Sequence, residues 1–515
     1  MLGHSLQTHS PEESHIGPTP WPAWDQTIVL SNRGPISQER GADGSIRSRR
    51  SSGGLVTALE PLVQACSATW VTCGARPGDF AHTASGDLDV RSATPRYRLR
   101  HVCLSDSEYR GYYYGFANEG LWPLCHALRV QPVFRSSDFR AYSAANIRFA
   151  AAVADEATCA APLLLVQDYH FALAPRELRH RLPLSTIVTF WHIPWPPLHV
   201  LRVCPWAREL LEGLLGSDIA GFQTPADCAN FLKAVELILG AEVDRDSDMV
   251  THRGRQIRVR AYPVGVEWDN DVVRAMPAAH VCREQVAREL GLPAHAGARL
   301  GIGIDRLDYT KGINEKFLAI ERVLEQRPDL RGRLVFVQVA EPSRDCIPEY
   351  RNAREQLAAT AARVNARFGE NGILPIVLRE SHHEPPDVYR LYRAADFCHV
   401  GSLRDGMNLV AKEFVSARDD ERGVLILSQA TGAALQLPEA LLINPWAIDS
   451  SADAIIQALT MPDTEQTKRM RLLRRTVASS DVQWWTRQLL TDAAAVRGTD
   501  QMDAPIPSGA VRLSA

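Results

Sequence analysis

Apolar residues in this chain come in short blocks whose spacing changes from strand-like to helix-like and back. After a polar, proline-bearing start, "QTIVLSNRGP" has the pattern of a strand that ends in a polar turn. A loop rich in Arg, Ser and Gly, "RSRRSSGG", leads into the helical pattern "GLVTALEPLVQA". "ATWVTCG", "PLLLVQDYH", "STIVTFWHIPW" and "DIAGFQT" read as further strands, and "CPWARELLEGLLG" and "PADCANFLKAVELILG" repeat apolar residues at helical spacing. "VRAYPVGVEWDNDVV" reads as a crossover, after which the alternation restarts: strand "ARLGIGI", helix "GINEKFLAIERVLEQ", strand "RLVFVQVAE", helix "YRNAREQLAATAARVNARFG", strand "LPIVL", helix "PDVYRLYRAA". "DFCHV", the helix "NLVAKEFVSA", "GVLILS" and "ALLINP" complete the second unit. Strands that alternate with helices predict parallel sheets, so the fold class is α/β, with two doubly wound, Rossmann-like domains facing each other across a cleft.

Composition narrows the classes of function. The chain has 515 residues, of which 45% are hydrophobic and 23% charged, the profile of a globular protein of two or three domains. It holds no apolar run long enough to span a membrane, and the first residues lack the basic start and apolar core of a signal peptide. Ten cysteines are scattered without a C-x-x-C pair or zinc-like spacing, and several, such as Cys398 and Cys73, sit in apolar runs that fit small buried hydrophobes. A reduced, cytoplasmic protein is therefore expected. A formal charge of −3 argues against a nucleic-acid partner, so an anionic ligand would have to be held by a few placed cations.

Four places could supply such chemistry. In "GSLRDGMNLVAKEF" a strand hands over to a helix through Arg404, Asp405 and Gly406, the kind of junction where α/β sheets bind anions beside helix-start N–H groups. In "GIGIDRLDYTKG" the third glycine of a dinucleotide fingerprint is replaced by Arg306; Arg306 and Lys311 instead suit a diphosphate, a fork of donors beside a compact charge. A surface ion-pair cluster of Asp305, Arg306 and Asp308 is the alternative there. Asp168 in "VQDYHF" and His192 in "FWHIPWPP" stand at the same end of the first sheet, although a histidine beside Trp191 and Trp195 also fits a packed structural role. Arg33 in "SNRGP", Gly53 and Gly54 in "SSGGL", and Tyr113 and Trp122 in "YRGYYYGFANEGLWP" offer a cation, a close backbone approach and aromatic faces suited to a sugar, with core packing as the alternative for the two rings. "DRDSDM" reads as a solvated polar stretch between a helix and a strand. No H-E-x-x-H, EF-hand, G-x-S-x-G or complete P-loop occurs.

Taken in order, "SNRGP", "SSGGL", "LWP", "QDYH", "HIPWP", "RLDYTKG" and "LRDGMNLVAKEF" resemble the motifs of the trehalose-6-phosphate synthases, glycosyltransferase family 20, over about residues 26–496. The resemblance implies a GT-B fold, no metal and no cofactor, and retaining transfer of glucose from a nucleotide sugar to glucose 6-phosphate. It implies catalytic roles for Asp168, His192, Arg306, Lys311 and Asp405. The donor would be held by Gly54, Arg306, Lys311, Asp405, the backbone of Gly406, Met407, Asn408 and Leu409, and Glu413 at the ribose. The acceptor would be held by Arg33, Tyr113, Trp122, Asp168 and Arg344. It also implies a division into tails at 1–25 and 497–515, an acceptor domain at 26–268, a donor domain at 269–480, and a helix at 481–496 that packs back on the first domain.

Two departures stand near the acceptor: "QDYHF" replaces the family's "HDYHL", with Gln167 and Phe171 in place of His and Leu, and "LWPLCHALRV" differs after its first triplet. A D-x-D-G-T phosphatase motif is absent, so the product is expected to keep its phosphate. A synthase using another phosphorylated acceptor (glycerol phosphate or a cyclitol) and a silent sugar-phosphate sensor remain alternatives. Small-molecule substrates, UDP-glucose or GDP-glucose with glucose 6-phosphate, are the expected partners; neither nucleic acid nor membrane is, and a homo-oligomer is left open.

Overall fold

The computed structural model describes residues 24–40, 46–50, 66–74, 87–89, 97–292 and 297–502, together with helical Val56, Leu59, Glu60, Leu62 and Val63. In chain order the strands of the N-terminal unit are β1 (Thr27–Ser31), β2 (Ile36–Arg40), β3 (Ile46–Arg50), β4 (Thr69–Cys73), β5 (Asp87–Asp89), β6 (Arg98–Val102), β7 (Leu163–Gln167), β8 (Thr186–Phe190), β9 (Ile219–Phe222), β10 (Glu242–Asp244), β11 (Met249–His252) and β12 (Arg255–Ala261). β2 and β3 form a separate antiparallel hairpin; the other ten make one sheet in the order β10-β11-β12-β9-β8-β7-β1-β4-β6-β5. From β12 to β6 neighbouring strands are parallel, while β10, β11 and β5 are antiparallel additions at the edges. The "DRDSDM" stretch therefore joins two strands rather than a helix and a strand. Asp244 folds it into a turn by accepting the N–H groups of Asp246 (3.0 Å) and Ser247 (3.4 Å), a local bond that a strand pattern does not reveal.

β1, β7 and β8 are buried at every position, because layers cover both faces of the sheet. Successive residues feed opposite faces. Ile28 and Leu30 join a cluster with Tyr142 and Phe149 of α1 (Ser136–Glu156), while Val29 joins another with Trp70 and Phe190. That second cluster continues without a break into the C-terminal unit, through Leu300, Ile302, Met407 and Phe414. The two units thus share one apolar core.

The C-terminal unit has β13 (Arg299–Arg306), β14 (Leu334–Glu341), β15 (Ile376–Arg379), β16 (Phe397–Val400), β17 (Val424–Ser428) and β18 (Leu441–Ile443), all parallel, in the order β15-β14-β13-β16-β17-β18. The order doubles back between β13 and β16, and in the first sheet between β1 and β7. At such points the loops leaving two neighbouring strands part to opposite faces and open a crevice at the strands' carboxyl ends. Gly301 and Gly303 lie inside β13 and serve packing: a Cβ would come within 2.1 Å of the Phe397 ring and 2.2 Å of the Gln338 amide oxygen.

The chain crosses between units around Val264–Gly265 and again at Asp481–Val482, where the Val482 N–H donates to the Val266 carbonyl at 3.0 Å. A Cβ on Gly265 would sit 2.3 Å from the Asp481 backbone, so the crossings touch main chain to main chain. The final helix packs on the first unit, with Trp485 against Phe190 (5.2 Å) and Asp492 accepting from Arg260 and from the Tyr262 hydroxyl (2.7 Å each). It runs from Val482 to Met502 and so overruns residue 497, where the tail was expected. No proline interrupts it before Pro505.

Candidate active site

Asp168 follows β7 with φ +74° and ψ 170°, a conformation otherwise almost confined to glycine. Its neighbours hold it there: its N–H donates to the Phe190 carbonyl at 2.7 Å, and its carboxylate accepts the His192 N–H at 3.1 Å. Burial pushes its pKa up to about 6, against the opposing pull of the Tyr169 and His192 N–H groups and of Arg306 and Arg344. His192 is held neutral, its pKa pushed down by burial to about 3. Its Nε2 lies 2.9 Å from the Gln167 amide oxygen, which assigns the proton to Nε2 and leaves Nδ1 as the acceptor. Gln167, where the family motif has histidine, is thus the neutral partner that sets the tautomer of His192.

Across the cleft, Arg306 is the last residue of β13, and Lys311 lies on the turn that leads into α2 (Ile313–Gln326). Gly312 makes that turn at φ +60°, where a Cβ would meet the Gly401 carbonyl at 2.1 Å. The Lys311 ammonium is ion-paired with Asp405. Asp405 also accepts the Gly406 N–H (3.0 Å), the Ser402 hydroxyl (3.2 Å) and the Asn408 amide (3.1 Å). Burial disfavours its charge, but Lys311 outweighs this and holds the carboxylate below its ordinary pKa. Asn408, at φ +69°, opens α3 (Leu409–Ala417), so Met407, Asn408 and Leu409 stand where helix-start N–H groups lack intrahelical partners. Glu413, further along α3, accepts the Tyr392 hydroxyl at 3.1 Å, and its pKa is raised by burial.

The two units meet through arginine and aromatic rings. Arg344, at φ +54°, leaves the C-terminal unit with its guanidinium 4.3 Å over the Trp122 ring and hydrogen-bonds the Tyr169 hydroxyl at 3.2 Å. Asp308 and the Tyr350 hydroxyl hold its other nitrogen, at 3.3 and 2.5 Å. The Arg306 guanidinium lies 5.3 Å from the same Trp122 ring. Of the acids in the alternative surface cluster, Asp305 pairs with buried Lys316 and Asp308 with Arg344, which leaves Arg306 to the cleft. Arg33 reaches the Tyr113 hydroxyl at 3.5 Å, and Tyr113 stacks on His170 at 5.7 Å. Burial raises the Tyr113 pKa, yet Arg33 and Arg344 outweigh it and bring the phenol down to about 7. Tyr113 sits in a wide-turned helical segment, 110–121, which closes with an i→i−5 bond from the Trp122 N–H to Ala117. Such turns concentrate at functional sites.

The structure therefore brings together Asp168, His192, Arg306, Lys311, Asp405, Gly406, Met407, Asn408, Leu409, Arg33, Tyr113, Trp122 and Arg344 where the two units meet; Glu413 stands one turn further along α3, against Tyr392, and Gly54 lies outside the described residues. The sequence offers Asp308 only as part of a surface ion-pair cluster, whereas here it orients Arg344 together with Tyr169; neither Tyr169 nor His126 is singled out by the sequence. His126 is buried, its Nδ1 is 2.8 Å from the Trp122 carbonyl, and burial lowers its pKa to about 4 against the pull of Asp405. Its i+4 spacing from Trp122 was the available signal. Among the described residues no group of three or more His, Cys, Asp or Glu side chains gathers as a metal site, and no helix is long and apolar enough to cross a membrane. None of the ten cysteines is paired.

Two doubly wound sheets with apposed switch points, and cations and helix-start N–H groups facing a carboxylate and aromatic rings, define a glycosyltransferase of the GT-B architecture. The chain belongs to glycosyltransferase family 20, whose profile matches residues 25–495. It is 39% identical over 479 residues to a trehalose-6-phosphate synthase of Mycobacterium sp. strain KMS, covering 91% of this chain and 95% of that one. Among solved structures it resembles a UDP-forming alpha,alpha-trehalose-phosphate synthase from Burkholderia xenovorans in complex with glucose-6-phosphate (TM-score 0.81, 30% identity, 91% of this chain and 100% of that one). It also resembles the E. coli protein bound with UDP-2-fluoro glucose (TM-score 0.80, 29% identity, 91% and 98%).

Proposed function

We propose that this protein transfers glucose from UDP-glucose to glucose 6-phosphate with retention, giving α,α-trehalose 6-phosphate. The observation that carries the proposal is the pairing of opposite sites. Lys311, Arg306 and the start of α3 face the cleft from one unit, and Asp168, His192 and the Arg33–Tyr113 pair face it from the other. The bound ligands of the two similar structures support the choice of donor and acceptor.

In this reading Lys311 and Asp405 satisfy each other until donor arrives. Lys311 and Arg306 then turn to the diphosphate, which frees Asp405 to accept sugar hydroxyls, while Glu413 accepts from the ribose. Arg33, Tyr113, Trp122 and Arg344 hold the acceptor's phosphate and ring. As the glycosidic bond breaks, positive charge grows on the sugar and negative charge on the leaving diphosphate. Fixed cations there are worth more in the transition state than in the ground state. The leaving phosphate oxygen takes the proton of the acceptor hydroxyl on the same face, which accounts for retention without a covalent intermediate. Asp308 is tied to Arg344, and the freed Asp405 is taken up by the hydroxyls of the donor sugar, so neither is poised as a nucleophile.

Mixing UDP-glucose or GDP-glucose with glucose 6-phosphate or glycerol 3-phosphate, and following nucleotide release and product mass, tests this reading. UDP release and a phosphorylated disaccharide only with UDP-glucose and glucose 6-phosphate is the expected result, unchanged in EDTA because Arg306 and Lys311 carry the diphosphate charge. Release only with glycerol 3-phosphate would assign another acceptor, and binding without release with every pair would leave a sensor.

A further inference from the structure

Lys412 lies in α3 immediately before Glu413, and the chemistry above does not use it. It is 0% exposed, and among the described residues its Nζ makes one hydrogen bond, 2.7 Å to the Val264 carbonyl. Among the described residues no carboxylate answers the ammonium, and burial pushes its pKa down to about 7. A buried ammonium with a single neutral acceptor is a poor device for stability, since an apolar side chain of similar length would avoid the desolvation cost. What the bond connects gives a better reason for it.

Val264 lies on the first crossing between the units. Its N–H donates to the Gln223 amide oxygen at 3.1 Å, and the Gln223 amide nitrogen donates to the His192 carbonyl at 3.4 Å. That carbonyl faces Gly406 so closely that a Cβ there would come within 2.0 Å of it. Gly406 and Lys412 belong to one turn-and-helix. The connections therefore close a ring: donor turn, His192, Gln223, crossing peptide, Lys412 and donor helix. Gln223, Val264 and Lys412 are all buried, which shields these bonds from competing water.

We propose that Lys412, Gln223 and the Val264 peptide form a positioning relay that sets how deeply the donor turn and α3 seat against His192. None of the three touches substrate. The relay fixes the separation between groups on two domains that have to meet at one reacting carbon. Misplacement of about 1 Å at such a junction can cost about a hundredfold in rate.

The idea rests on the proposed reaction only for its turnover readout, so the test carries a second readout. Lys412→Met removes the ammonium and keeps the chain length, and Gln223→Leu removes both amide bonds. With UDP-glucose and glucose 6-phosphate, each variant is expected to lose about tenfold to a hundredfold in kcat, with donor KM changed by less than about threefold because the donor contacts themselves remain. The Lys412→Met midpoint of thermal unfolding should stay level or rise. The double variant should be no slower than the worse single one, because either break opens the same ring. Amide exchange at Val264 should quicken in Lys412→Met while α3 stays protected. Wild-type kcat in both singles, losses that multiply in the double, or rates that merely follow lowered stability would overturn the relay. If the wild-type protein does not turn over these substrates, the functional reading fails and exchange alone decides. Faster exchange at Val264 upholds the relay, and a change confined to α3 refutes it.

Discussion

Lys311 is where charge, geometry and proposed chemistry meet most directly. The side chain is buried, its only ion-pair partner among the described residues is Asp405, and it starts from the turn that Gly312 makes possible. Lys311→Ala or Arg306→Ala should lower kcat by about 10²–10³, by analogy with removal of one oxyanion-hole donor, with circular dichroism unchanged. Wild-type turnover in both variants would refute the diphosphate assignment. Asp168 makes a prediction about pH. Its pKa is raised to about 6, so the carboxylate that accepts hydrogen bonds is lost as pH falls through that value. kcat/KM should decline on the acid side with an apparent pKa near 6, and Asp168→Asn should leave a low, flat profile. Stability runs the other way. The fold favours the neutral acid, so ionisation of Asp168 opposes folding progressively as pH rises from the ordinary carboxylate range through 6. The unfolding midpoint of Asp168→Asn relative to wild type should therefore rise over that interval.

At the scale of elements, the strands and helices follow from periodicity, but the ends that matter follow from neighbours. "RLDYTKG" reads as a loop after a strand, yet β13 continues through Arg306 because its register with β14 extends to Glu341. The 110–121 segment carries aromatic residues that any helix could bury; it lies so close on α1 that a Cβ on Gly111 would come within 2.6 Å of Ala141, and its wide turns are not legible in the residues alone. Glycines divide in the same way. Gly312 needs both φ +60° and bare space beside the Gly401 carbonyl. Gly312→Ala should cost about 1–3 kcal/mol from backbone strain before the clash is relieved, read by urea unfolding, and should raise donor KM because the turn carries Lys311.

For the whole molecule, the shared core explains why the last helix belongs to the first unit. Trp485 is 1% exposed against Phe190, and Asp492 gathers Arg260 and the Tyr262 hydroxyl. Trp485→Ala should cost about 3–5 kcal/mol and loosen both crossings together. Exchange should quicken at Val266 and Val482 as well as in the helix itself, and a loss limited to the helix would show that the crossings are held independently.

What the residues determine by themselves is considerable. The two alternating runs define the fold class, and "RLDYTKG" and "LRDGMNLVAKEF" mark the donor side, because hydrophobic period and local turn chemistry are written in neighbouring positions. Pairings between residues far apart in sequence are not written there. Arg344 over Trp122, Lys412 on Val264, Gly406 under the His192 carbonyl and Gln167 fixing a tautomer all depend on where two sheets come to lie. The same local pattern is compatible with many such placements. Only burial of one apolar core across both units, with each enclosed polar group still needing a partner, selects the one that builds the cleft.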